Sequence, residues 1–218
     1  MVKEISLCKI CNSPTDELFD KQLKVTYDVC HKCDFISKQE SFLLTPDEEQ
    51  GRYATHKNDD EGNIGYMNMF NNLIDLHVRP LKKVKNILDF GSGPYPMLKK
   101  ILDRDGYNVA IYDPFFSKDL AYQNNMYDLI TTTEAIEHFV NPIKEIEHLL
   151  SLLNDQGYLV IMTNFRTMDV EGFTTWWYRR DPTHISFFND NTFNYLKGRY
   201  NLIEISNNHK NIITLQKQ

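Results

Sequence analysis

Apolar runs of strand length alternate with helix-spaced apolar positions from residue 86 to the end of the chain. The run Ile87-Leu88 is followed by apolar residues at helical spacing over 97–102, and residues 107–112 then alternate as a second strand. Two further strand-like runs, at 128–133 and 157–163, flank a helix. This strand, helix, strand order predicts a mostly parallel sheet covered by helices.

The chain ends in two strand-like segments, 200–206 and 211–217, joined by Asn207-Asn208. This pattern predicts an antiparallel hairpin at the edge of the sheet. A short helix is predicted before it, over residues 189–196, with Gly198 as its end. For residues 86–218 the predicted fold class is therefore α/β, Rossmann-like, with a mostly parallel sheet and a C-terminal antiparallel hairpin.

Residues 41–85 predict a helical connector. Thr45 as N-cap, Pro46 at the first helical position and Glu48 at the third indicate the start of one helix. Apolar side chains at helical spacing over 66–77 indicate a second helix.

The polar stretch RYATHKN lies between these two helices. Tyr53, His56 and Asn58 in it could cover a ligand site as a lid, and a solvated loop is the equally good alternative.

The first 40 residues carry all four cysteines, as two Cys-x-x-Cys pairs with eighteen residues between them. This spacing suits a zinc ribbon in which four thiolates close a tetrahedral site, and a closed site of this kind is structural rather than catalytic. Two disulfides or four reduced cysteines are the alternatives, and a cytoplasmic location disfavours disulfides. The predicted ligands are Cys8, Cys11, Cys30 and Cys33.

Composition narrows the function further. The 218 residues carry a net charge of -6, so a broad nucleic-acid interface is not expected. Mean hydropathy is -0.48, and no apolar run is long enough for a membrane span. The first residues lack the apolar core of a signal peptide, which predicts a cytoplasmic protein. Oligomeric state leaves no mark in the sequence.

The stretch NILDFGSGPYP at residues 86–96 carries the main chemical signal. A strand that breaks at Gly91 and Gly93 and turns into a helix can present backbone N–H groups to a nucleotide-like or carboxylate-bearing ligand. Asp113 follows the second strand, twenty residues after Gly93. In nucleotide-binding α/β folds, an acid at this place accepts hydrogen bonds from the two ribose hydroxyls.

Four features together resemble the class I S-adenosylmethionine-dependent methyltransferases: the glycine turn, the acid in YDPFF, the segment EAIEHF after the strand at 128–133, and the terminal hairpin. EAIEHF with the following Asn-Pro, the later DPTH and the four-cysteine ribbon are similar to a bacterial branch related to quinone-precursor methylases. The resemblance covers residues 86–218. It implies S-adenosylmethionine as cofactor and a small-molecule acceptor that the sequence does not identify.

The resemblance also implies roles for individual residues. Asp89, Gly91 and Gly93 would hold the methionine moiety and approach the ribose. Asp113 would bind the ribose diol, Phe115 would pack on the adenine, and Thr133 and Glu134 would line the floor beside the sulfonium.

Two departures from the family pattern stand out. Tyr95 replaces the third glycine of the usual turn, where it could close over the cofactor or block it. The segment from Asp113 to Asp128 is too short for the usual third strand. Adenine recognition is therefore the least defined part of the implied cofactor site.

Methyl transfer to a protonated nucleophile needs a base. His184, in the DPTH segment that follows the strand at 157–163, is the preferred candidate, since imidazole accepts a proton near neutral pH. His138, Glu134 and His56 are further candidates, and fixing a loop by hydrogen bonding is the structural alternative for His184.

Two other functions fit parts of the pattern. A nicotinamide-binding Rossmann protein would share the glycine turn, but it requires a small residue where Pro96 stands and does not predict the final hairpin. A non-catalytic cofactor-binding module, with the ribbon docking a protein or RNA, is the alternative to an enzyme.

Overall fold

The computed structural model describes residues 6–53, 64–166 and 169–218, so His56 and Asn58 of the predicted lid lie outside the described residues. The strands in chain order are β1 (Asp16–Asp20), β2 (Val25–Val29), β3 (Ile36–Lys38), β4 (Asn86–Phe90), β5 (Asn108–Tyr112), β6 (Tyr127–Thr133), β7 (Leu153–Met162), β8 (Ser186–Phe187), β9 (Leu202–Asn207) and β10 (Ile212–Lys217). The α-helices are α1 (Pro46–Tyr53), α2 (Ile64–His77), α3 (Met97–Arg104), α4 (Pro142–Ser151), α5 (Val170–Phe173) and α6 (Asp190–Tyr200).

Among the described residues, the central sheet has six strands in the order β5-β4-β6-β7-β10-β9. The four strands β5, β4, β6 and β7 pair in parallel, and β10 pairs antiparallel with both β7 and β9. The prediction of an α/β fold with a mostly parallel sheet and a C-terminal antiparallel hairpin is confirmed. The described residues between β5 and β6 form a turn and a short 3-10 helix (Leu120–Asn124) in place of another strand, as their number predicts.

Apolar side chains cover both faces of this sheet. On one face, α2 and α3 bury Phe70, Leu73, Ile74 and Leu98 against residues of β4, β6 and β7. On the other face, α4 and α6 pack against the sheet. None of the described helices is both long enough and apolar enough to cross a membrane.

Two helix predictions differ in outcome. Thr45 and Glu48 form the reciprocal capping box at the start of α1, with the Thr45 backbone N–H donating to Glu48 Oε2 at 2.8 Å. The predicted end of the last helix at Gly198 is wrong, because α6 continues through Gly198 to Tyr200. Asn201 ends it in the left-handed conformation (φ 51°), which asparagine tolerates as well as any non-glycine residue.

The cysteine-bearing segment forms a second, antiparallel sheet in the order β1-β2-β3-β8. Its fourth strand comes from the aromatic-rich stretch after β7: Ile36 pairs with Phe187 and Ser37 with Ser186. An apolar cluster under this sheet unites Tyr27, Val29 and Ile36 with residues of that later stretch. Strands β1, β2 and β3 therefore share both a sheet and a core with residues 170–187.

Gly91 has no room for a side chain. Its φ is +84°, and a Cβ there would lie 2.4 Å from Cβ of Ala135. Gly93 has φ +66°, but a Cβ on it would meet no described atom within 4 Å. Close approach therefore requires glycine at the first position, and backbone conformation favours it at both.

We expect Gly91→Ala to destabilise the fold more than Gly93→Ala. Both changes force a left-handed alanine, which costs about 1–2 kcal/mol, and the first adds overpacking of about 1–3 kcal/mol. Urea unfolding of the two variants beside the parent chain measures the difference. Equal losses of unfolding free energy would show that Ala135 moves aside freely.

Candidate active site

A cavity of about 910 Å³ opens where the carboxyl ends of β4, β5 and β6 meet. Ligands of open α/β sheets bind at this edge. The lining contains the cofactor and catalytic residues predicted from the sequence, namely Asp89, Gly91, Gly93, Asp113, Phe115, Thr133, Glu134, His138 and His184. Tyr95 also lines the cavity and is 44% exposed, so it borders the space rather than filling it.

The backbone of the glycine turn is bound to the next strand. The N–H groups of Gly91 and Ser92 donate to the carbonyl oxygen of Tyr112 at 2.8 and 3.1 Å. The Gly93 N–H donates to Oδ2 of Asp113 at 2.9 Å. Contrary to the expectation of free N–H groups in the turn, these three amides hold the turn against β5. A pyrophosphate group needs free backbone N–H groups in this turn. Because these three are already hydrogen-bonded, the geometry disfavours a nicotinamide dinucleotide as the ligand.

Asp113 joins the glycine turn to the loop after β5. Its Oδ1 accepts the N–H groups of Phe115 and Phe116 at 2.9 and 3.0 Å, while Oδ2 accepts that of Gly93. The residue is 7% exposed and borders the cavity. A carboxylate has about four lone-pair sites, so this one has acceptor capacity left for a ligand.

Asp89 lies at the base of the cavity and is 3% exposed. Burial, together with the nearby carboxylate of Asp113, raises the pKa of Asp89 to about 7. The Thr131 hydroxyl donates to its Oδ1 at 3.1 Å and partly offsets this effect. Asp89 is thus a carboxyl group whose charge responds to a cation placed in the cavity.

A glutamate pair meets at the hydroxyl of Tyr178. This hydroxyl contacts Oε1 of Glu137 closely, and it lies 3.2 Å from Oε2 of Glu134 and 3.2 Å from Oγ1 of Thr163. Burial raises the pKa of both glutamates, and the Glu137 charge raises that of Glu134 further. Since a phenol donates one proton, hydrogen bonds to both carboxyl groups require that one carboxyl is protonated.

The two predicted histidines lie side by side, with ring centroids 5.0 Å apart. Nδ1 of His138 is 2.9 Å from the Thr183 carbonyl oxygen, and Nδ1 of His184 is 2.8 Å from that of Tyr178. Because a carbonyl only accepts, each Nδ1 carries the proton and each Nε2 keeps its lone pair. Burial lowers the pKa of both rings, that of His184 to about 4.

One further arrangement involves the same histidines. A ring nitrogen of each and a carboxylate oxygen of Glu137 lie within 4.8 Å of one another. The sequence alone does not favour this set as metal ligands, because Glu137 and His184 are 47 positions apart.

A family profile described as a methyltransferase domain matches residues 67–203. The chain belongs to the methyltransferase-domain family. The prediction of a class I S-adenosylmethionine-dependent methyltransferase is confirmed at the level of family and fold.

Three solved structures resemble this chain at low sequence identity, which establishes the fold alone. An S-adenosylmethionine-dependent methyltransferase from Archaeoglobus fulgidus has a TM-score of 0.51 and 15% identity, covering 69% of this chain and 94% of that one. The plantazolicin methyltransferase BpumL, in complex with a pentazolic desmethylPZN analogue and SAH, has a TM-score of 0.51 and 16% identity, covering 82% and 94%.

The third structure is an O-methyltransferase family protein from Burkholderia thailandensis, with a TM-score of 0.51 and 13% identity. The match covers 70% of this chain and 56% of that one, so this chain spans little more than half of the larger protein. No curated protein matches the sequence.

The cavity of this chain has polar groups suited to a cofactor. The hydroxyl oxygens of Ser92 and Thr133 are buried in its lining and have no hydrogen-bond partner among the described residues. Buried hydroxyl groups without partners are costly. A bound molecule with hydroxyl, amino or carboxylate groups would satisfy them.

Three rings, those of Tyr53, Phe115 and His138, lie side by side in the lining of the cavity. The Tyr53 ring at the end of α1 lies 5.5 Å from that of Phe115 and 5.3 Å from that of His138. Arg52 holds this end of α1 to Asp181 through an N–O contact of 3.2 Å. Tyr53, predicted as part of a lid, therefore lines the cavity.

The four predicted cysteines converge in the N-terminal segment. Sulfur–sulfur distances are 3.6 Å for Cys8 and Cys33, 3.4 Å for Cys11 and Cys30, and 3.6 Å for Cys30 and Cys33. Four thiolates around zinc at Zn–S bonds of about 2.3 Å would stand roughly 3.8 Å apart in a tetrahedron. All four cysteines are buried and none is in a disulfide. The donor set fits zinc.

Proposed function

We propose that this chain transfers the methyl group of S-adenosylmethionine to a small-molecule acceptor bound in the same cavity. The main support for this proposal is that the glycine turn, Asp113 and the unpartnered hydroxyl of Thr133 converge at the carboxyl edge of the sheet. About 910 Å³ is at the upper end for one ligand, which leaves space for cofactor and acceptor together.

The chain's own residues would then bind and orient. Asp113 accepts hydrogen bonds from the ribose diol, Asp89 faces the amino group of the methionine moiety, and Phe115 packs on the adenine. The cofactor supplies the electrophilic methyl group when bound. Thr133 and Glu134 form the floor of the site beside it.

His184 is the proposed base, with His138 beside it. The lone pair on Nε2 of each ring can take a proton from a hydroxyl or amine as it attacks. Burial lowers the pKa of both rings, that of His184 to about 4, which leaves its Nε2 lone pair free at neutral pH and also makes it a weaker base than a free imidazole. Glu134 is a weaker candidate, since burial and Glu137 favour its protonated form.

The acceptor is proposed to be neutral or cationic. Among the described residues that line the cavity, acidic side chains outnumber basic ones. The acidic ones include Glu49, Glu145 and Asp181, and Lys144 is a basic one. Arg179, in the aromatic-rich stretch after β7, is fully buried and does not line the cavity, so it offers no positive charge to an anionic acceptor. The same burial removes this arginine from any surface that nucleic acid could contact, in line with the acidic net charge.

We also propose that Cys8, Cys11, Cys30 and Cys33 hold one structural zinc ion. Four thiolates fill the coordination sphere, so the ion would stabilise the fold and take no part in the reaction. Reduced cysteines that bind a metal are typical of a reducing compartment, which supports the proposed cytoplasmic location.

Calorimetry with S-adenosylmethionine and with S-adenosylhomocysteine tests the cofactor assignment directly. Saturable binding of both, followed by methyl transfer in a screen of amines, phenols and carbon acids, would support the enzyme. Binding without transfer to any acceptor would favour the non-catalytic module. Absence of binding to a folded, metal-loaded chain would overturn the proposal.

The pH dependence of stability should reveal Asp89. A carboxyl group whose pKa is raised on folding, here to about 7, stabilises the fold below its unfolded pKa of about 4. That contribution is lost as the pH rises through 7. We expect the unfolding free energy of the parent chain, relative to Asp89→Asn, to fall between about pH 4 and 7 by a few kcal/mol and then level off.

The asparagine variant is the reference because it mimics the protonated carboxyl and cannot ionise. Urea unfolding at several pH values measures both chains. A difference that stays constant from about pH 4 to 8 would show that Asp89 is ionised throughout, as on an exposed surface.

A further inference from the structure

Tyr178 links the cysteine-bearing sheet to the active-site cavity. Its ring is buried in the apolar cluster formed with Tyr27, Val29 and Ile36 of that sheet. Its hydroxyl, at the other end of the same side chain, bridges Glu134 and Glu137. Packing of the ring therefore determines where the hydroxyl stands between the two carboxyl groups.

The next residue, Arg179, has no exposed surface. Its Nε lies 2.7 Å from Oδ2 of Asp20, which is 2% exposed and ends β1. Its remaining nitrogens donate to the Trp176 carbonyl at 3.0 Å and to Oε1 of Gln22 at 2.8 Å. The guanidinium thus ties the short helix that carries Tyr178 to the turn after β1.

Asp20 is itself fixed. Its Oδ1 accepts the backbone N–H groups of Gln22 and Leu23 at 2.8 and 3.0 Å. An ion pair that is fully buried is costly to form, and removing one partner leaves an uncompensated charge. The pair is better explained as a device that sets one arrangement than as a source of stability.

We propose that Arg179 is a positioning residue: through its ion pair with Asp20 it holds the Tyr178 hydroxyl between Glu134 and Glu137. This assignment rests on the proposed function, because Glu134 lines the methyl-transfer cavity and Glu137 is buried behind it. Through Tyr178, the cysteine-bearing sheet would then support a side chain that lines the active site. Lys38 adds a second tie of the same kind, donating to the Pro182 carbonyl at 2.7 Å.

The test follows the Tyr178 hydroxyl proton by NMR in the intact, metal-loaded chain. A buried phenol bound to a carboxyl group gives a slowly exchanging, downfield resonance, and its loss in Tyr178→Phe assigns it. We expect the resonance to shift or disappear in Arg179→Met and to be partly restored in Arg179→Lys. Arg180→Met is the matched control, since Arg180 is the exposed neighbour, and it should leave the resonance unchanged.

Arg179→Met leaves Asp20 unpaired and could unfold the chain, so the double variant Asp20→Asn with Arg179→Gln removes both charges together. Loss of the resonance in this folded double variant would support the proposal, and an unchanged resonance would overturn it. S-adenosylhomocysteine affinity, measured on the parent chain, tests the proposed function separately. Failure of the parent itself to bind that ligand would reject the proposed function and leave the hydroxyl result standing.

Discussion

Cys30→Ser is expected to unfold the sheet β1-β2-β3-β8 and to release the proposed zinc ion. Cys30 is 1% exposed, with its sulfur 3.4 Å from that of Cys11 and 3.6 Å from that of Cys33. Structural zinc sites contribute roughly 10–16 kcal/mol of binding free energy, comparable to the whole stability of a domain. A serine hydroxyl does not replace a thiolate ligand at this site. Elemental analysis should show one zinc ion per parent chain and less in the variant, with a large fall in melting temperature.

His31→Ala is the matched control for this change. His31 follows Cys30 directly but is exposed, and its ring contacts the Asp16 carboxylate at 2.9 Å on the surface. We expect this variant to keep the zinc ion and the melting temperature. A strong chelator should reproduce the effect of Cys30→Ser in the parent chain. A parent chain that is metal-free and fully folded would remove the zinc assignment.

The consequences of losing this sheet should reach the cavity. The backbone of Ile185, next to β8, donates to the Glu137 carbonyl at 2.9 Å, and the Tyr178 ring packs under the sheet. Unfolding β3 would therefore free the segment that carries Tyr178 and His184. Asp89 and Asp113 stand on strands and loops of the central sheet, so the cofactor side of the cavity should suffer less.

The sequence predicts the central sheet and the residues that line its cavity because each signal is local. Strand periodicity, the glycine turn and the acid after β5 each depend on a few neighbouring residues. Since carboxyl ends of parallel strands meet at one edge, correct strands bring Asp89, Asp113 and Thr133 together without further information. The cysteine cluster is predictable for the same reason, as each pair is a local turn.

The partners of Tyr178 cannot be predicted in this way. The aromatic-rich stretch that contains Tyr178 has no clear periodicity. The strand β8 that follows in this stretch is only two residues long and pairs with β3, about 150 positions earlier. The buried contact of Arg179 with Asp20 spans 159 positions, and two adjacent arginines give no sign that one is buried and the other exposed. Glu137 gives no signal of its own, because a second glutamate in EAIEHF resembles a solvated helix face.

Asp113→Asn is expected to weaken S-adenosylhomocysteine binding by about ten- to a hundredfold. An amide keeps one acceptor oxygen, which can hold the N–H groups of Phe115 and Phe116, but its NH₂ group cannot accept the Gly93 N–H. The variant therefore loses the charged acceptor for the ribose diol and the tie to the glycine turn. Hydrogen bonds to a charged group are worth about 1.5–3 kcal/mol, and each 1.4 kcal/mol is tenfold in affinity.

Asp119→Asn separates this effect from a general loss of loop structure. Asp119 lies in the same loop and also accepts a backbone N–H, that of Ala121 at 2.9 Å, but it does not border the cavity. Its change should leave affinity for S-adenosylhomocysteine within about twofold of the parent. Asp113→Ala should cost both affinity and stability, because three backbone N–H groups lose their acceptor. If a folded Asp113→Asn chain bound this ligand as tightly as the parent, Asp113 would be a loop anchor and not a ribose contact.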